Sequence, residues 1–213
     1  YNRTVSKTDG LVKRGATLLK EVKDAPLNAD VIFSMVGYPK DVEEVYLGEN
    51  GLIKTAKEGQ VFVDMTTSSP TLAKKISEEF AKVGATALDL PVTGGDIGAK
   101  NGTLSIMAGG DKKVFEETVL PLVKNFGKNI TYFGEAGKGQ YTKLANQIAI
   151  ATTMISVAES FKFAKEVGLN LDDFFNIVST GSGGSFSMTS YGPRILKGDF
   201  KPGFFIHHFI KDM

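Results

Sequence analysis

Short apolar runs recur through the first half of the chain, at Val31 to Val36, Val61 to Met65 and Thr86 to Leu90. Each is followed by a turn and then by a more polar stretch with helical spacing. Strands this short, largely apolar at consecutive positions and alternating with helices, predict a parallel sheet covered on both faces. The helix after the second run has a clear start: Ser69 can cap it, Pro70 fits its first turn, and Leu72, Ile76 and Phe80 recur every fourth residue. Thr103 to Ala108 predicts a further strand, Gly109-Gly110-Asp111 a break, 112–123 a helix, and Ile130 to Phe133 a strand that closes the sheet. After Gly134 the period changes. From Lys138 to about Val167 the pattern is helical, Gly168 ends it, and Asp172 to Val178 and Met188 to Leu196 predict more helices. Between these last two, the run Thr180 to Ser185 is too short for a domain linker and reads as a helix–helix loop in preference to an active-site lid. The pattern therefore predicts an α/β domain over 1–136 and an all-helical domain over 137–213, joined through one long interdomain helix.

Composition narrows the function without naming it. The 213 residues are 42% hydrophobic and 23% charged, as in ordinary globular proteins. With 25 basic against 24 acidic residues and no long basic block, nucleic acid is not an expected partner. Cysteine is absent, and the two histidines, His207 and His208, are adjacent, so no metal site is expected. The uncharged run Leu144 to Ala158 is shorter than a bilayer span and carries Asn146, Gln147, Thr152, Thr153 and Ser156. It reads as a buried helix, and no membrane association is expected.

Two stretches carry candidate chemistry. In Gly137-Lys138-Gly139-Gln140-Tyr141-Thr142-Lys143-Leu144-Ala145-Asn146-Gln147, Lys143, Asn146 and Gln147 share one helix face. An ammonium at the head of an apolar helix is costly to desolvate, so it either reaches water, as most lysines do, or has partners and a task. Such a face can hold a proton donor and its orienting amides. In Asp89-Leu90-Pro91-Val92-Thr93-Gly94-Gly95-Asp96, the paired glycines and the threonine hydroxyl can line a carboxylate-binding loop, or simply make a strand-to-helix turn.

Together these two stretches resemble the β-hydroxyacid dehydrogenase family, which includes 3-hydroxyisobutyrate dehydrogenase, tartronate semialdehyde reductase and the glyoxylate and succinic semialdehyde reductases. Asn2-Arg3-Thr4 resembles the end of that family's second strand. Met35-Val36-Gly37-Tyr38-Pro39 and Asp64-Met65-Thr66-Thr67 resemble loops after later strands, and Phe200 to Asp212 resembles a phenylalanine-rich segment ending in a Lys-Asp pair. Leu90 stands where alanine is frequent and Thr93 where serine is frequent. Thr93 keeps the hydroxyl. The glycine-rich dinucleotide fingerprint, about 20 residues before the ribose-reading position, is missing, as are helices beyond the Lys-Asp pair, so the chain is expected to be an internal piece of a longer protein.

The resemblance implies a Rossmann-like, doubly wound, mainly parallel sheet and an oxidoreductase that interconverts a small β-hydroxy acid and its semialdehyde, or reduces glyoxylate or succinic semialdehyde. It implies Lys143 as the catalytic acid/base, with Thr93, Gly94, Gly95, Asn146 and Lys211 on the substrate. Asn2, Arg3, Thr4, Met35, Val36, Thr66, Lys211 and Asp212 are implied on the cofactor. Arg3 offers a guanidinium where NAD-binding chains place an acid, which favours NADP over NAD. A small carboxylated aldehyde or hydroxy acid is the expected ligand, a homo-oligomer (dimer or tetramer) the expected assembly and the cytoplasm the expected compartment. The alternatives are a catalytically silent relative serving as a binding or scaffold module, which the presence of Lys143 with Asn146 argues against, and an imine reductase, a class that generally lacks the lysine.

Overall fold

The computed structural model describes residues 1–201 and 203–212. It contains a six-stranded sheet: β1 (Val31–Ser34), β2 (Val61–Asp64), β3 (Thr86–Asp89), β4 (Val92–Thr93), β5 (Leu104–Gly109) and β6 (Gly127–Gly134). The order is β1-β2-β3-β5-β4, with β6 also pairing β5. The β1·β2, β2·β3 and β5·β6 pairs are parallel, whereas β5 runs antiparallel to β3 and β4. This is the mainly parallel, doubly wound sheet that the apolar runs predict. All four residues of β2 are buried because the strand is covered on both faces. Val61, Val63 and Met65 pack with Leu88, Ile106 and Phe115 on one side. Phe62 packs with Val42, Tyr46, Ile76 and Phe80 on the other.

Local chemistry sets the helix starts. The Ser69 hydroxyl accepts from the Leu72 amide at 3.3 Å and Pro70 opens the helix Pro70–Ala81, as the sequence pattern requires. Asp111 caps the next helical stretch by accepting from Val114 at 2.8 Å. That stretch is one helix with a wide turn, Phe115–Val119, inside it. The widening lies just ahead of Pro121, whose ring has no N–H for the Glu117 carbonyl.

Two features depart from the sequence reading. Asn2-Arg3-Thr4 is not a strand end. The Asn2 side chain accepts from the Thr4 amide at 2.8 Å and a 3₁₀ turn, Val5–Thr8, follows, so local bonds take the backbone groups that a ladder would need. Secondly, the stretch before Gly94-Gly95 contains β4, with Thr93 opposite Ser105 on β5.

The chain divides into two compact units, Tyr1–Lys143 with Asp212, and Leu144–Lys211. In the second, Val157, Phe161 and Met188 form a core with Leu171, Phe174, Phe175, Val178, Ile195 and Leu196 around it. Asn170 and Ser185 cap its helices Leu171–Thr180 and Phe186–Leu196 through their side-chain oxygens. The Thr153 and Ser187 hydroxyls meet at 2.9 Å. Among the described residues, no helix is long and apolar enough to cross a membrane.

Candidate active site

The sheet register brings Ser34, Asp64 and Asp89 into one row across the ends of β1, β2 and β3. The loops that leave these strands therefore emerge along one carboxyl edge, where open α/β sheets hold ligands. Two of the loops are tied together, because the Val36 amide donates to the Thr66 hydroxyl at 2.9 Å. Thr66 is buried. Its own amide donates to Asp64 Oδ1 at 3.1 Å, and the Ser34 hydroxyl donates to the same oxygen at 3.0 Å. Tyr46 reaches Ser34 at 2.8 Å. Burial pushes the Asp64 carboxyl up to about 6, although the Thr66 and Ser34 donors pull the other way.

The long helix Lys138–Glu166 starts against this edge, and two side chains fix it there. The Asp89 carboxylate accepts from the Gly137 amide at 2.7 Å on one oxygen and from the Gln140 amide at 2.8 Å on the other. It thus caps, from a strand, a helix start about fifty residues further along the chain. Burial again dominates and raises this carboxyl to about 6, against the pull of the two amides. Gln140 is fully buried and grips the loop after β2 with both ends of its amide. Its oxygen accepts from the Ser68 amide at 2.8 Å, and its nitrogen donates to the Thr66 carbonyl at 2.7 Å. Gly139 lets the helix touch the sheet, since a side chain there would meet the Asp89 and Met107 carbonyls. Three residues past Gln140, Lys143 is only 6% exposed.

The other expected site residues fall as follows. Met35 lies on the carboxyl edge with its side chain exposed, an apolar surface suited to a flat ring. Thr93 is partly buried in β4, Gly94 has φ +123°, and Gly95, with φ +63°, opens the short helix Gly95–Asn101. Asn2, Arg3 and Thr4 are exposed. The Arg3 side chain is 82% exposed, and its Nη1 lies 3.5 Å from Asp41 Oδ1 in the first turn of the helix Pro39–Leu47. The other Asp41 oxygen accepts from the Tyr38 amide at 3.0 Å. In the second unit, Asn146 donates to the side chain of Gln147 at 2.8 Å. Lys211 is partly buried, and Asp212, which groups with the first unit, is buried.

Asp64, Asp89, Gln140 and Ser68 organise this edge, yet the sequence reading assigned none of them a role. The signal was present for the two acids: each ends an otherwise apolar strand, Val-Phe-Val-Asp and Thr-Ala-Leu-Asp, where a charge needs partners to be tolerated.

Residues 1–134 match the family described as the NAD binding domain of 6-phosphogluconate dehydrogenase. Residues 137–213 match the NAD-binding region of NADP-dependent 3-hydroxyisobutyrate dehydrogenase. The chain is 52% identical to the uncharacterized oxidoreductase YkwC of Bacillus subtilis, over all of this chain and 74% of that protein. It is 40% identical to 2-hydroxy-3-oxopropionate reductase of Escherichia coli, over 96% of this chain and 70% of that one. The solved 3-hydroxyisobutyrate dehydrogenase of Mycobacterium tuberculosis, whose structure includes L-serine, superposes with a TM-score of 0.87 at 27% identity, covering 99% of this chain and 73% of that one. The chain thus spans about 70 to 74% of the length of these two curated relatives.

Proposed function

Because the chain belongs to the 3-hydroxyisobutyrate dehydrogenase-like family of NAD(P)-binding oxidoreductases, we propose that its parent protein is an NADP-dependent reductase of small carboxylated aldehydes, or the reverse dehydrogenase of the matching hydroxy acids. In this reading residues 1–136 are part of the dinucleotide-binding domain and 137–213 part of the helical domain that completes the substrate site and carries oligomer contacts. The observation that carries it is the buried Lys143 one turn beyond a helix start that is pinned to the loops after β2 and β3.

The residues present fit a nicotinamide dinucleotide. Arg3 offers an exposed guanidinium for a 2′-phosphate, Met35 and Val36 an apolar wall, and Thr66 a fixed loop along the carboxyl edge. When bound, the cofactor supplies the hydride. Lys143 donates a proton to the carbonyl oxygen during reduction and accepts one during oxidation. Thr93 with the Gly94 and Gly95 amides holds the substrate carboxylate, and Asn146 orients the substrate oxygen. Lys211, at the end of the helix Ile206–Asp212, is assigned to cofactor and substrate, and Asp212 to the cofactor, on the strength of the family resemblance.

A spectrophotometric assay of cofactor oxidation by the full-length protein tests this, run with a panel of small semialdehydes and with NADPH and NADH in parallel. Reduction of at least one carboxylated aldehyde, faster with NADPH at limiting cofactor, is the expected result. No turnover on the whole panel would sink the reading. Light scattering on the same preparation and fractionation of the source cells test the accompanying expectations of a dimer or tetramer and of a cytoplasmic protein.

A further inference from the structure

Gln140 bonds the long helix to the loop after β2 through its side chain. It fills both bonding directions of its amide, donating to the Thr66 carbonyl and accepting from the Ser68 amide, with no exposed surface. Asp89 holds the same turn of helix through the Gly137 and Gln140 amides. Thr66 is in turn fixed to the loop after β1 through the Val36 amide. A continuous chain of bonds therefore runs from the loops expected to carry the nicotinamide to the turn that carries Lys143.

We propose that Gln140, supported by Asp89, is a positioning residue for the reaction: it sets the register of the Lys143 amine relative to the Thr66 loop without touching substrate or cofactor itself. The inference rests on the reductase reading above. Proton and hydride arrive from different elements in that reaction, and a misplacement on the ångström scale at one of them costs rate rather than affinity. A buried primary amide is suited to the task because it joins one carbonyl and one amide that are otherwise unsatisfied in a dry contact. No apolar residue of similar size can make either bond.

The test uses the full-length protein with Gln140→Met and Gln140→Glu. Methionine keeps the volume and removes both bonds. A glutamate is a faithful replacement only when protonated, since its O–H then donates to the Thr66 carbonyl while its other oxygen accepts from Ser68. Asp89, whose carboxylate sits on the Gln140 amide, Asp64 at the end of β2, and Lys143 on the same helix are the charged groups near it. Each variant is therefore read as a ratio to wild type at every pH. The expected result for Gln140→Met is a fall in kcat of tenfold or more, flat with pH. The substrate KM and the NADPH Kd should stay within about threefold, consistent with lost transition-state positioning. For Gln140→Glu the ratio should climb as pH falls from 8 to 5.5. Wild-type kcat in Gln140→Met, or KM and Kd that worsen as much as kcat, would overturn the positioning role. Hydrogen exchange separates this failure from failure of the reductase reading. Backbone amides at Ser68 and at 137–143 should exchange faster in Gln140→Met whether or not the panel contains the true substrate. Unchanged exchange would remove the clamp itself.

Discussion

Gly109 and Gly139 meet backbone to backbone: a Cβ placed on Gly109 would sit 2.6 Å from the Gly139 amide nitrogen. The contact brings the first turn of the long helix onto the end of β5, and it leaves room for neither side chain. Gly139→Ala should therefore push the helix away from the Asp89 and Met107 carbonyls and cost about 1 to 3 kcal/mol, the usual range for overpacking. Urea denaturation measures it. The contrast is Gly10→Ala, where nothing lies within 4 Å of the new methyl group and φ is not positive. That change should leave the midpoint nearly unmoved, and a similar loss in both variants would contradict the steric account.

Lys143→Ala should lower turnover by several orders of magnitude while NADPH binding stays nearly intact. General acid–base help alone contributes about a hundredfold to ten-thousandfold, and positioning adds to it. Steady-state rates paired with a fluorescence titration of NADPH separate the two effects. Retained wild-type turnover would take Lys143 out of the mechanism.

Thr93→Val removes a hydroxyl from β4 while keeping the size and β-branching that suit a strand. The Michaelis constant should rise for carboxylated aldehydes and move little for uncharged ones, because only the former lose a charge-assisted donor. Comparing one aldehyde of each kind decides it, and equal effects would mean that the carboxylate is held elsewhere.

Arg3 stands 3.5 Å from Asp41, so cofactor preference is expected to depend on both. Arg3→Asp should weaken NADPH by roughly tenfold or more, since a charge-assisted bond contributes about 1.5 to 3 kcal/mol. A gain for NADH is a different matter. The new carboxylate would face Asp41 and repel it, so the gain should be larger in Arg3→Asp combined with Asp41→Asn than in the single variant. Affinities of four proteins for two cofactors form the complete cycle, and an additive result would show that Asp41 has no influence.

Buried Asp64 and Asp89 should shape stability against pH. Burial raises both carboxyls to about 6 in the folded chain, above the ordinary aspartate value of 3.8, so the native state holds their protons more tightly than the unfolded one. Their contribution is full below about pH 4 and is lost as pH rises through 6. Asp64→Asn is the probe, because the Ser34 hydroxyl and the Thr66 amide both bind the one oxygen, Oδ1, that asparagine can retain. Between pH 4 and 6 the fall in the urea midpoint due to these two groups should be about halved. At pH 7 the variant should be the more stable protein by on the order of 2 to 3 kcal/mol at most. An unchanged slope would refute the assignment. Asp89→Asn should behave differently, since each Asp89 oxygen faces a backbone donor and an amide NH₂ would confront one of them.

Most of the sheet was legible in the sequence because its signals are local. The runs at 31–36, 61–65 and 86–90 are apolar at consecutive positions, and Ser69-Pro70 starts a helix by chemistry confined to one turn. Strand β4 was not legible: two residues, Val92 and Thr93, are a strand only because Ile106 and Ser105 lie opposite. Arg3 could be singled out, but not its bridge to Asp41. Gln140 stood in plain view inside the stretch that drew attention to Lys143, yet its importance depends on Thr66 and Ser68, more than seventy residues earlier. A sequence displays chemical types, and the bonds that give these particular residues their roles exist only after the chain has closed on itself.

Asp89 has one more consequence, for how freely this region can change. It holds the start of the long helix through backbone amides alone, and those amides are the same whatever side chains stand there. In a saturation library scored for folded protein, the exposed positions 138 and 141 should accept a wide range of residues. Positions 89, 139 and 140 should accept almost none. The stretch that looks most like a uniform motif would then divide into freely varying and frozen positions according to which atoms face the sheet.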